Sequence, residues 1–194
     1  MQIQAEPRSY TPEEYLELEA QADYKSEYRD GKIVPMTGGT TDHNEITLNL
    51  AAALKFALRG RAYKVYIGDV KLWIPRYRLY AYPDVMVIKG DPIYAEPGTT
   101  TVMNPMLIVE VLSKSTRNYD LGEKFQAYRS VPDLQEYCVV DQSQYSAIQH
   151  SKTDSGQWLL TEYEAQASVL KFSSVAFQIP FNDLYAGVSF TEQR

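Results

Sequence analysis

The sequence predicts a mixed α/β (α+β) fold in which a β-sheet is flanked by helices, on three observations. Short apolar runs such as Val85-Met86-Val87-Ile88 and Leu107-Ile108-Val109-Glu110-Val111-Leu112 read as strands buried on both faces. Segments with apolar residues at helical spacing are interleaved with them. A strand, helix, strand succession over 107–141 implies two parallel neighbours joined by a crossover. With 194 residues, of which 44% are hydrophobic, the chain can bury one sizeable core, and a single domain over 1–194 is the simplest organisation.

The elements follow in order. Thr11-Pro12-Glu13-Glu14 joins an N-cap threonine, a proline at the first helical position and Glu14 at the third, so a helix is expected from here to about Ala22, packing through Tyr15 and Leu18. Two short strands should flank the turn Asp30-Gly31. After Gly38-Gly39, Asp42 and Glu45 form a capping pair for a helix ending near Gly60, whose Ile46, Leu50, Ala53, Leu54 and Ala57 make one apolar face that His43 shares. The period then becomes two, with strands over 63–67 and 70–74 joined at Gly68-Asp69. A strand led by Asp84, a polar loop from Gly90 to Asn104 and the Glu110 strand come next. Asp120 and Glu123 cap a further helix that stops before Pro132, and Glu136 to Asp141 returns as a strand parallel to that of Glu110. Shorter strands are expected at 147–148, 158–160 and 169–172.

Composition narrows the function. No apolar run approaches the roughly 20 residues that span a bilayer, and Met1 to Glu6 lacks the basic and apolar regions of a secretion signal, so a cytoplasmic protein with no membrane partner is expected. Cys138 lies alone in an apolar strand and reads as a core residue. Only two histidines are present, His43 and His150, which disfavours histidine-based zinc chemistry, and there is neither a Gly-x-Ser-x-Gly elbow nor a phosphate-cradling glycine loop. The net charge of -6 argues against bulk electrostatic attraction to nucleic acid, yet it hides an asymmetry. Residues 1–31 hold eight acids and three bases, whereas 55–89 hold eight bases, Lys71, Arg76 and Arg78 among them, against Asp69 and Asp84. These bases suit either a solvated surface or a phosphate-binding face. Tyr77, Tyr80 and Tyr82 interleave with Arg76 and Arg78, an arrangement able to grip a nucleic-acid strand.

The chemistry concentrates in Glu110 and Asp84. A lone carboxylate in a fully apolar strand demands compensation, and a second carboxylate heads another apolar strand. If the strands are neighbours, the two can share Mg2+ or Mn2+, with Val111 supplying a carbonyl. Lys124, in the first turn of the next helix, can orient a water or steady the charge on a phosphate. Without metal, a buried salt bridge between Glu110 and Lys124 would satisfy both, and Asp120 reads as a helix cap rather than a ligand.

Tyr82-Pro83-Asp84-Val85, the run Ile108 to Thr116 and the run Tyr119 to Tyr128 resemble the putative restriction endonuclease family of the PD-(D/E)XK nuclease superfamily. Glu27 to Val34, His43-Asn44 and Leu134 to Tyr137 extend the resemblance over most of the chain. It implies a restriction-endonuclease-like mixed sheet flanked by helices, Asp84 and Glu110 as metal ligands, and Glu27 as an auxiliary acid. The usual superfamily lysine, two residues after the second acid, is Leu112 here. Lys124 matches the family's displaced lysine, and Lys114 is the rival. The resulting expectation is a Mg2+- or Mn2+-dependent endonuclease acting on DNA, duplex in the first instance, as a homodimer. The site would consist of Asp84, Glu110, Lys124, Glu27 and Val111, with Lys71, Arg76, Arg78 and Lys114 on nucleic acid. The alternative is a catalytically silent DNA-binding or scaffold protein on the same fold.

Overall fold

Strands apolar on both faces must be covered on both faces, and that requirement sets the architecture. The structure is a computed structural model that describes residues 8–95, 98–113 and 117–190. At its centre lie β6 (Val85–Lys89), β8 (Leu107–Leu112) and β9 (Glu136–Asp141), with β8 and β9 buried along their whole length. They belong to a six-stranded sheet of order β11-β10-β9-β8-β6-β3, where β3 is Tyr63–Ile67, β10 Ala147–Lys152 and β11 Trp158–Tyr163. The β8–β9 pair is parallel, as the crossover implied, and the other pairs are antiparallel.

Helix α2 (Thr41–Ala57) covers one face through Ile46, Leu50 and Leu54, against Val85, Val87, Leu107 and Val109. The other face, which carries Met86, Ile88, Ile108 and Leu112, meets a second sheet and the lysine helix, a continuous helical segment over 117–128. That second sheet has five strands in the order β2-β1-β5-β4-β7. They are β1 (Ser26–Arg29), β2 (Lys32–Pro35), β4 (Lys71–Ile74), β5 (Leu79–Ala81) and β7 (Thr101–Val102). Its outer side buries Tyr15, Tyr28 and Tyr80 beneath α1 (Pro12–Glu19). A small hairpin, β12 (Val169–Phe172) with β13 (Phe177–Pro180), closes the first core. Among the described residues no helix is long and apolar enough to cross a membrane.

Turn and cap chemistry holds at two places: Thr11 and Glu14 make the reciprocal capping box, and Asp30 and Gly31 turn the β1–β2 hairpin with φ of 42° and 93°. Elsewhere the structure corrects the expectation. Helix α1 stops at Glu19 and Leu18 faces solvent, because Tyr15 and Leu16 are the residues of the helix that pack into the tyrosine cluster. The cap of α2 is Thr40, whose extended backbone lets its Oγ1 accept the His43 N–H, so Asp42 falls within the first turn and is favoured there by the helix dipole. Ala57 is exposed, and Leu58 takes the buried position. The strands on either side of Gly68-Asp69 do not pair: β3 joins β6 at the edge of the large sheet, while β4 crosses into the second sheet to cover the first one's apolar face. The loop after Gly90 contains β7.

Glu136 fastens β9 to the turn between β12 and β13. Its carboxylate accepts from the N–H groups of Ser173 (3.1 Å) and Ser174 (3.0 Å), the Ser174 hydroxyl, and the Gln149 amide at 3.0 Å. Removing that acceptor leaves the buried Gln149 amide short of a partner and unties the turn at Ser173 and Ser174. Glu136→Ala should therefore lose about 3 kcal/mol of stability, read as a lower urea midpoint at unchanged slope. A loss under about 0.5 kcal/mol, the level of an ordinary surface substitution, would refute this role.

Candidate active site

The β6–β8 ladder assembles the site. Val85 stands opposite Val109, so the next step of the antiparallel register brings Asp84 to Glu110. The Asp84 N–H points at Glu110 Oε2 at 3.4 Å, and the Val111 N–H donates to Asp84 Oδ2 at 2.7 Å. From the opposite face of the sheet, α2 brings His43 Nε2 to 3.1 Å from the same Asp84 oxygen. Burial lowers the His43 pKa, but the hydrogen bond and charge of Asp84 outweigh it and the net shift is upward.

Glu110 is 3% exposed and would be untenable alone. Its Oε1 accepts from Lys124 Nζ at 3.0 Å and from the Tyr128 hydroxyl at 2.7 Å. Asp120, Lys124 and Tyr128 are spaced by four along the lysine helix and share its inward face. The turn Asp120–Lys124 is a π-helix, a local widening often found at functional sites. Asp120 is therefore no helix cap but a buried carboxylate 3.1 Å from Lys124 Nζ, with Oδ1 lacking an aligned hydrogen-bond donor.

Glu27 completes the cluster from the second sheet. Strand alternation sends Tyr28 outward into the tyrosine core and Glu27 inward, where Oε1 lies 3.6 Å from Lys124 Nζ. Arg29, two residues on, bonds Glu27 Oε2 at 3.0 Å through Nε, and its guanidinium stacks 3.5 Å over the Tyr119 ring.

One ammonium thus faces three carboxylates and Asp84 lies beyond it, so charge is unevenly shared. Burial pushes the Glu110 carboxyl up, Asp84 and Asp120 add to that, and Lys124 and the Tyr128 hydrogen bond oppose it; the outcome is a pKa of about 8. For Lys124, burial acts downward, but Glu110, Tyr128, Glu27 and Asp120 hold the ammonium well above its ordinary value. The cluster forms one wall of a cavity of about 880 Å³, which also takes in Gly38, Gly39, Arg117 and Asp141. At that far end Arg117 pairs with Asp141 at 2.6 Å.

The expected residues are distributed as follows. Asp84, Glu110, Lys124, Glu27 and Val111 come together at the cavity. Lys71 does not: its ammonium is held by Glu19 at 2.7 Å on the other side of the second sheet. Arg76 is exposed in the turn Pro75–Tyr77, and Arg78 is tied to the Tyr28 hydroxyl at 2.9 Å. Lys114 lies outside the described residues. Asp141, Arg117, Arg29 and Tyr128 were not foreseen. Tyr128 alone carried a readable signal, its four-residue spacing from Lys124; the others depend on pairings that only the assembled sheets create.

The donor set suits a hard divalent cation. Asp84 and Glu110 offer carboxylate oxygens side by side. Among the described residues, however, no group of three acids and histidines is arranged to hold an ion as it stands, because the Lys124 ammonium sits between the carboxylates. Asp84 and Glu110, on neighbouring strands, are the carboxylates that could share an ion.

Comparison with known proteins bears on family and fold. The family model described as Putative restriction endonuclease (Uma2) matches residues 12–181. Two uncharacterized proteins of Synechocystis sp. are similar. One is 40% identical over 173 residues, covering 89% of this chain and 98% of its own length; the other is 35% identical over 180 residues, covering 93% of each. A crystal structure of a putative nuclease from Anabaena variabilis superposes with a TM-score of 0.75 at 17% identity, over 91% of this chain and 98% of that one, which shows a shared fold.

The Glu110 shift has a consequence for stability. A carboxyl raised from 4.5 to about 8 on folding contributes stability that is complete below about pH 4.5 and is lost as pH rises through about 8. Between about pH 5 and 9 the urea midpoint of the wild type should therefore fall more steeply than that of Glu110→Gln, which has no such proton to release. Parallel profiles would show that Glu110 is ionised throughout.

Proposed function

Because the chain belongs to the Uma2 family of putative restriction endonucleases, we propose that it is a metal-dependent DNA endonuclease hydrolysing phosphodiester bonds. The observation that carries this reading is the convergence of Asp84 and Glu110, from antiparallel neighbours, with Lys124 at the wall of an open cavity.

Asp84, Glu110 and the Val111 carbonyl are the groups that would hold Mg2+ or Mn2+. When bound, that cation supplies Lewis-acid activation of the phosphate and of the attacking water. The protein's own groups do the positioning. His43 and the Val111 N–H fix the Asp84 carboxylate from two sides, leaving one oxygen to face the cavity. Tyr128 anchors Glu110, and Arg29 anchors Glu27. Lys124 stays protonated and aims its charge at the incoming phosphate or holds the water beside it. In the reaction the water oxygen bonds to phosphorus and gives up a proton to solvent, while the bond from phosphorus to the leaving oxygen breaks and that oxygen takes up a proton from solvent. One such cavity cuts one strand at a time, so cleavage of a duplex is assigned to a homodimer with two sites.

The competing reading, a silent scaffold, draws on the completeness of the Glu110, Lys124 and Tyr128 interactions without metal. Calorimetric titration with Mn2+ separates the two. The wild type should bind saturably and nick plasmid DNA, and Asp84→Asn and Glu110→Gln should each abolish binding. Lys124→Met should retain metal but cut at least about a hundredfold more slowly. Absence of both binding and nicking in a folded wild-type protein would leave the scaffold.

A further inference from the structure

Beyond Tyr119 the active-site cavity has a neighbour. A shallower groove of about 430 Å³ runs past Lys32, Tyr77, Leu79 and Glu123, and it shares Arg29, Val34 and Tyr119 with the cavity. The Arg29–Tyr119 stack is therefore a common wall, polar on the side of Glu27 and aromatic beyond.

The groove combines an aromatic ring with cations. Of the three tyrosines that interleave with arginines in the sequence, Tyr80 is buried in the tyrosine core, and Tyr82 gives its hydroxyl to Glu19 at 2.7 Å. Tyr82 faces the active-site cavity, whereas Tyr77 lines the groove, half-buried against Leu79 and the second core. Lys32 stands exposed at the groove and Arg76 exposed beside Tyr77, and among the described residues neither has a carboxylate at ion-pair distance. The groove's acids are less available to repel a phosphate than their number suggests. Asp30 is met by Arg78 at 3.5 Å, leaving Glu123 as the remaining charge.

We propose that this groove takes unpaired nucleotides flanking the cut, with a base stacked on Tyr77 and phosphates met by Lys32 and Arg76. The argument for an unpaired strand is geometric: a ring can stack only on a base whose face is open, and a base within a duplex has both faces covered. Adjacency to the cavity across the Arg29–Tyr119 wall gives the strand its direction, over Tyr119 and away from Glu110. The inference rests on the nuclease reading of the cavity and adds to it a preference for duplex ends or junctions that carry a single-stranded tail.

Fluorescence anisotropy with a labelled DNA hairpin tests it, comparing a blunt duplex with the same duplex bearing a tail of about six nucleotides, in calcium to suppress cleavage. The wild type should bind the tailed form about tenfold more tightly, the scale of one stacked base. Tyr77→Ala and Lys32→Glu should each bring the ratio of tailed to blunt affinity toward one. Should Tyr77→Ala fail to fold, Lys32→Glu, at an exposed strand position, decides alone. A wild type that binds or nicks DNA without preferring the tail, or a preference that survives both substitutions, overturns the groove assignment and leaves the nuclease reading intact. A wild type that neither binds nor nicks either form overturns both.

Discussion

A carboxylate in the middle of a strand buried on both faces needs a cation, and the meeting of Glu110 with Lys124 organises much of what surrounds it. For the ammonium to reach the strand, the helix after β8 must return across the sheet's second face, which is the crossover that makes β8 and β9 parallel. For that face to stay dry, the second sheet must cover the rest of it. Through Glu27 the second sheet also enters the cluster, so the two sheets are joined by charge as well as by apolar contact.

The resulting cluster gathers three acids around one lysine, with Arg29 answering Glu27 at its edge. Glu110 rises to about 8 because burial outweighs the nearby Lys124 charge, and Glu27, Asp120 and Lys124 are buried with it. A purely structural ion pair would be better served by fewer acids, since removing surplus buried charge lowers the desolvation cost.

Much of this was legible from the residues. The apolar runs of β6, β8 and β9 and the parallel pairing across the crossover followed from period and length, and Asp84, Glu110 and Lys124 stood out as charges in apolar settings. Boundaries that depend on one hydroxyl were less legible: Thr40 displaces Asp42 as the cap by a single hydrogen bond. The parting of β3 and β4 could not be read locally, because both alternate correctly and only the layer each one covers distinguishes them. Lys71 shows the limit for charged residues, since a basic stretch does not reveal which lysine already has a buried carboxylate waiting in a distant helix. The π-turn that makes Asp120 an inward residue also leaves no mark in the pattern of apolar spacing.

The order in which the chain is made bears on when the cavity exists. Every acid and base around Glu110 has been synthesised by Tyr128, yet the lysine helix rests on a strand still to come. The Tyr137 hydroxyl holds the Asp120 carbonyl at 2.8 Å, Tyr128 packs edge-on against the Tyr137 ring, and β8 has no partner on that side until β9 arrives. A growing polypeptide thus carries the cluster's side chains past the ribosome before it can seat the lysine among them. Completion of the charged centre thus waits on β9, the last of the strands that hold the lysine helix in place.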